Sequence, residues 1–182
     1  MKTRALSLLA LSAVLTGFLL WMVWDHERAR SNGAELVLDM EPVDPRSLFR
    51  GYYVIIRTPL HRLNLNEYDS DNGFEKGDPV FVSLSTNQDG NWTPQAISKN
   101  QPQTDGMWIQ GRVKGVNKPK DETQWIRIQY NIESYFADKD SAKELEKKIE
   151  DSKMRIILSI DAKGNAVIRG LEIDGKRLID RL

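Results

Sequence analysis

The hydrophobic pattern changes character once along the chain. From Ala5 to Trp24 the sequence reads ALSLLALSAVLTGFLLWMVW, twenty residues without a charge. At about 1.5 Å rise per residue, a helix of that length spans roughly 30 Å, the hydrocarbon thickness of a bilayer. Trp21 and Trp24 close the segment, where indole rings prefer the headgroup layer. A helix apolar on every face has no side for water, which argues against a core or surface helix of a small domain. A cleaved signal peptide is the rival reading. It has a shorter apolar region, about 7–15 residues, ending in small residues. Here the bulky Trp21-Met22-Val23-Trp24 stands at that place, so the segment reads as an uncleaved anchor. Lys2 and Arg4 precede it and Asp25 to Arg30 are mixed in sign, which predicts the N-terminus inside and the rest outside.

Beyond the anchor the period becomes two. Leu36, Leu38 and Met40 alternate with Val37 and Asp39. Tyr53–Arg57, Pro79–Ser85, Asn91–Ile97, Met107–Val113, Trp125–Tyr130, Met154–Ile160, Ala166–Ile173 and Lys176–Leu182 read as further strands. Turn residues punctuate them at Asn87–Gly90, Asp161–Asn165 and Asp174-Gly175. His61 to Gly77 is polar and reads as one long loop. Asp138 to Ile149 breaks the pattern, with a Ser141-x-x-Glu144 capping box and a narrow Ala142, Leu145, Ile149 stripe, as in a short surface helix. The prediction is a mainly β, antiparallel, sandwich- or barrel-like domain with that one helix, preceded by a single transmembrane helix. Residues 1–4 form a cytoplasmic tip, 5–24 the span, 25–34 a juxtamembrane stalk and 35–182 the exterior domain.

Composition narrows the chemistry. Lys+Arg and Asp+Glu number 26 each, so no basic excess points to nucleic acid. With no cysteine, disulfides, thiolate metal sites, Cys nucleophiles and lipidated cysteines are all excluded. His26 and His61 are far apart and read as surface residues without a ligand partner. Glu67, Asp69, Asp71 and Asp78 share a loop that invites a divalent cation, but Gly73 falls one place short of the EF-hand glycine when Asp69 leads. Ser47 in the dense stretch Pro45–Ile56 raises a signal-peptidase-like Ser/Lys hydrolase. Its order of residues does not fit, and lysines such as Lys143, Lys147 and Lys148 lie in charged segments where nothing desolvates them. The chain is therefore not read as an enzyme, and no catalytic, cofactor or metal residue is assigned.

Three blocks carry a resemblance. The first is Asp44-Pro45-Arg46-x-Leu48-x-Arg50-Gly51, continuing through Tyr53 to Thr58. The second is Tyr130-x-Ile132-Glu133-x-Tyr135-Phe136, and the third is Arg169-Gly170-Leu171 before Asp174-Gly175-Lys176. Together they resemble the bacterial GDYXXLXY proteins over roughly Met40 to Lys176. Gly51 and Tyr53 match the name motif and Ile56 stands for its leucine, while Tyr52 replaces the aspartate and Thr58 the last tyrosine. The resemblance implies an anchored exterior domain of uncharacterised function, encoded beside multi-pass membrane proteins. That leads to an accessory or interaction role in the envelope: single-pass in the bacterial inner membrane, the domain in the periplasm, partnered by the bilayer through Ala5–Trp24 and by a multi-pass protein. Within the first block, Gly51 is expected to turn the chain into a strand, Arg46 and Arg50 to satisfy groups around that turn, and Tyr53 to bury its ring.

Overall fold

The computed structural model describes residues 2–41, 49–50, 53–87, 90–104, 106–117, 124–136 and 154–179. The surface helix expected at Asp138–Ile149 lies outside them. Helix α1 runs from Lys2 to Asn32, and Leu6–Asn32 is long and apolar enough to cross a membrane. Leu6, Phe18, Trp21 and Trp24 are all more than half exposed, so among the described residues none covers this segment. The polar stretch read as a stalk is helical through Asn32, and β1 begins at Ala34. One residue, Gly33, therefore joins helix to domain. A Cβ on Gly33 would lie 2.7 Å from the Ile160 carbonyl oxygen and would run into the Ser159 hydroxyl. Only glycine lets the helix end seat this closely on the sheet.

The rest of the described chain is strand and turn. β1 (Ala34–Asp39), β11 (Met154–Ile160), β12 (Ala166–Ile173) and β13 (Lys176–Ile179) form a four-stranded antiparallel sheet in that order. A six-stranded sheet has the order β4 (Arg62–Asn64), β9 (Trp125–Gln129), β8 (Trp108–Asn117), β6 (Pro79–Thr86), β7 (Trp92–Ser98), β5 (Asp69–Ser70). A small sheet joins β10 (Ser134–Phe136), β3 (Tyr53–Ile55) and β2 (Phe49–Arg50). One apolar core takes Leu36, Leu38, Ile156 and Leu158 from the first sheet and Val80, Val82, Ile109, Ile126 and Ile128 from the second. These are the alternating positions of the sequence pattern. Burying each such side chain contributes about 1.5–3 kcal/mol. The domain is mainly β, as expected.

Turn chemistry follows the residues. Asp174 and Gly175 have φ of 48° and 79°, as a two-residue hairpin with both central residues left-handed requires. In the β11–β12 turn, Asp161 Oδ1 accepts from the backbone N–H of Lys163 and of Asn165, both at 2.8 Å. Gly164 in that turn has φ 76° and its carbonyl accepts from Gln110 N at 2.7 Å. This carries the turn across onto β8, and a Cβ on Gly164 would enter the Trp108 ring. β6 and β7 slip register beside Pro94, which has no N–H to donate, and β11 and β12 slip at Arg169.

One expectation is corrected and another is refined. The stretch His61–Gly77 is not one loop. It holds a 3-10 turn (Pro59–His61) running into β4, then β5, and it buries Leu63, Leu65 and Phe74. Its many Asn and Asp residues mask a Leu60-x-x-Leu63-x-Leu65 apolar series. The domain is also not purely antiparallel, because β5 pairs parallel with β7 through Asp69↔Ala96 and Ser70↔Ile97. The chain leaves β5, crosses at Phe74 to β6, and returns as β7, so β5 and β7 run the same way.

Gly164→Ala should lower the unfolding free energy of the purified chain by about 2 kcal/mol or more, the sum of left-handed strain and overpacking against Trp108. Gly175→Ala, with the same strain but open space around it, should cost about 1 kcal/mol. Urea titrations followed by circular dichroism check the difference.

Candidate functional site

The three-stranded sheet brings the first two sequence blocks together. β10 pairs with β3 through Ser134↔Ile55, Tyr135↔Val54 and Phe136↔Tyr53, and β2 pairs with β3 through Arg50↔Tyr53. The pairing extends one residue further, where Ile56 N donates to the Glu133 carbonyl at 2.9 Å. Asp44, Pro45, Arg46, Leu48 and Gly51, and with them Ser47 and the expected turn at Gly51, lie outside the described residues. Arg50 and Tyr53 are placed by their backbone in β2 and β3.

Tyr130, Glu133 and Tyr135 build the interior of this corner. Tyr130 follows the last residue of β9 and is 3% exposed. Its hydroxyl donates to the Leu60 carbonyl at 3.0 Å. Its backbone N–H donates to Glu133 Oε1 at 2.7 Å. Asn131 between them has φ 63°, a conformation that asparagine tolerates better than most residues. The tetrapeptide Tyr130-Asn131-Ile132-Glu133 is thus a tight corner closed by its own carboxylate, with Ile132 and Tyr135 directed into the core. Burial pushes the Tyr130 phenol well above its ordinary pKa, and the Glu133 carboxylate adds to this.

His61 belongs to the same corner, contrary to its reading as a surface residue. Its ring meets Tyr130 edge-on at 5.6 Å between centroids. Nδ1 accepts from Thr58 N at 3.1 Å and lies 3.0 Å from Thr58 Oγ1. A ring nitrogen that accepts from a backbone N–H carries no proton, so the neutral ring is protonated at Nε2. Nε2 is buried without a hydrogen-bond partner, 3.8 Å from Glu133 Oε1. Desolvation by burial lowers the His61 pKa below 6.5, against the opposing pull of Glu133, the Thr58 carbonyl oxygen 3.3 Å from Nδ1, and Glu41, while Arg57 lowers it further. The sequence did hold a signal. Thr58-Pro59-Leu60-His61 is a helix start with proline at the first position and, three residues after the cap, a side chain able to reach back to the cap N–H.

Thr58 hydroxyl, His61 ring and Glu133 carboxylate stand in the order of a nucleophile, base and orienting acid. The arrangement cannot work as one. The Nδ1 lone pair already holds the Thr58 N–H, and Thr58 is 1% exposed, so no substrate reaches its hydroxyl. The acidic loop is likewise occupied by protein donors. Asp71 Oδ2 accepts from Lys99 N, Asp78 Oδ2 from Glu75 N, Glu67 Oε1 from Asn64 Nδ2, and Lys99 Nζ caps the Gly73 carbonyl at 2.7 Å. Among the described residues no three His, Asp or Glu side chains converge as a metal would need.

The third block lies on the four-stranded sheet. Arg169 is the extra residue of the β12 bulge and reaches Glu35 Oε2 at 3.5 Å. Three places on, Glu172 pairs with both Arg155 and Arg177, its side chain only 5% exposed.

A family model described as the GDYXXLXY protein matches residues 15–171. The chain belongs to the GDYXXLXY family. No curated protein and no solved structure matches it. In this GDYXXLXY protein, the described parts of the second and third blocks are engaged in holding strands to strands.

Two outcomes follow. Tyr130→Phe leaves the buried Leu60 carbonyl without its donor and should cost about 1–2 kcal/mol in urea unfolding. His61 is held neutral with its pKa lowered, so its contribution to stability is complete above pH 6.5 and is lost as pH falls below that through the folded value. His61→Gln should flatten that acid-side loss in melting curves taken from pH 7.5 down to pH 5, measured against the unmodified chain.

Proposed function

We propose that this GDYXXLXY protein is an accessory component of the cell envelope. In this reading α1 anchors it in the inner membrane with the N-terminus inside, and the β domain stands outside as the interaction partner of a multi-pass membrane protein. One observation carries the reading. Among the described residues none covers the apolar length of α1, which passes into the domain through Gly33 alone, so the domain is held at a set orientation close to the membrane. A domain tethered that rigidly suits contact with a neighbour in the same bilayer better than capture of distant ligands. The buried Thr58 hydroxyl and the His61 Nδ1 already engaged by the Thr58 N–H support a binding rather than a catalytic role.

The absence of native cysteine gives a clean test. In intact cells, an impermeant maleimide admitted to the periplasm should label Thr86→Cys, and should label Thr3→Cys only after lysis. Photo-crosslinkers placed at Leu15 or Phe18 should capture a polytopic protein. Labelling of both cysteines from the same side, or a mature chain beginning beyond Trp24, would defeat the anchor. Crosslinks to lipid alone, with none to protein from either α1 or the domain, would defeat the partner.

A further inference from the structure

A cavity of about 930 Å³ lies where α1 meets the domain. One wall is a single helical face, Asp25, Arg28 and Asn32, spaced three and four apart. The second wall is the β11–β12 turn with Lys163, and the third is the approach to β8 with Met107 and Trp108. The walls are fixed relative to one another. Gly33 seats the helix end on β11, and the Gly164 carbonyl ties the turn to Gln110 of β8. Among the described residues, neither Arg28 nor Lys163 forms an ion pair. The Arg28 guanidinium stands over the Trp24 ring at 5.4 Å. Asp161 also lines the cavity, but its carboxylate is occupied by the N–H groups of its own turn. Among the described lining residues, two cations thus face one carboxylate not held by its own turn, Asp25, in a space sized for a small ligand.

We infer that this cavity binds the headgroup of an anionic phospholipid from the membrane that holds α1, with Arg28 and Lys163 on the phosphodiester from opposite walls and Asp25 accepting from headgroup hydroxyls. The inference rests on the anchored reading above. Arginine suits phosphate oxygens because its planar fork donates two parallel hydrogen bonds. Phosphate chemistry alone would also admit a soluble phosphate ester, but height decides for the lipid. Trp21 and Trp24 mark the interface. Arg28 is one turn above Trp24, about 6 Å along the axis. The headgroup layer is roughly 5–7 Å deep on each side of the hydrocarbon. The cavity therefore opens at the level of lipid phosphates, with an apolar side at Met107 and Trp108 for the glycerol and first methylenes.

The test is native mass spectrometry of the full chain in mild detergent, titrated with dioleoyl phosphatidylglycerol, with carbonate extraction of the same membranes. The full chain should retain phosphatidylglycerol, and Arg28→Glu with Lys163→Glu should reduce the bound fraction about tenfold. Arg30→Glu, on the same juxtamembrane turn but outside the cavity, should leave it unchanged, which separates a site from general attraction of basic residues to anionic lipid. Equal retention by the double variant, or an equal loss in Arg30→Glu, would overturn the proposal. Displacement of the lipid by sn-glycerol 3-phosphate at matching concentration would assign the cavity to a soluble ester and overturn it too. A chain that resists carbonate yet holds no lipid defeats this inference alone, whereas release by carbonate defeats the anchor itself.

Discussion

The corner at Tyr130–Glu133 is the constraint on which the arrangement of the domain depends. At the end of β9 the chain must leave the six-stranded sheet and turn to pair with β3. Leaving a sheet strands a backbone N–H, and a buried unsatisfied N–H costs about 1–3 kcal/mol. Glu133 takes that N–H with its carboxylate and offers its own carbonyl to Ile56. Tyr130 fills the inside of the corner and ties it through Leu60 to the 3-10 turn that feeds β4. Since β4 pairs with β9, the corner closes a ring of contacts among β3, β4, β9 and β10. His61 wedges into this ring as a neutral edge, its Nε2 left without a partner. The lowered pKa is the sign of that burial.

A second constraint operates on the four-stranded sheet. Asp39, Arg155, Glu172 and Arg177 stand opposite one another across β1, β11, β12 and β13, alternating in sign. The Glu172 side chain is nearly closed from water and contacts both flanking arginines. Removing one partner from such a group leaves a buried charge uncompensated, which is costly, although the intact set adds little over an apolar equivalent. Its contribution is more to register than to stability. A one-residue slip would set Glu172 opposite Ile156 or Leu178 in place of an arginine. The bulge at Arg169 serves the same sheet by turning an extra arginine toward Glu35, which Arg177 also reaches at 3.0 Å.

What could be read from the sequence follows a physical line. Strands with clean alternation were legible, as with Ile126, Ile128 and Tyr130 against Arg127 and Gln129, because period-two burial needs no tertiary information. Turns written by residue type were legible at Asp174-Gly175 and Asp161–Asn165. The 61–77 segment was not, because its buried leucines are set among asparagines whose side chains serve local turns, as Asn64 does for Asn66 and Glu67. The parallel β5 depends on a crossover that two residues of strand cannot announce. The burial of His61 is not legible in the sequence because it comes from Tyr130 and Glu133, some seventy positions away, and spacing along the chain carries no trace of that. The second block was recognised as a unit, but its role as a corner needed the partner strand β3 beside it.

The distribution of engaged and unengaged polar groups gives the domain a direction. Around the second and third family blocks, several described polar groups are engaged within the chain. The Tyr130 hydroxyl, the Glu133 carboxylate, the His61 Nδ1 and the Arg169 guanidinium all meet other parts of the same chain. Groups engaged in this way offer little to a ligand, since taking one away means replacing a contact already made. The end of the domain that meets α1 is arranged differently. There Arg28 and Lys163 line an open cavity, braced by Gly33 and Gly164, two positions that admit no side chain. Bracing of that kind matters for recognition more than for folding, because walls that need no reordering lower the cost of binding. The described residues of the second and third blocks therefore hold strands to one another, and the cations without an ion pair among the described residues line the cavity beside the C-terminal end of α1, one helical turn beyond Trp24.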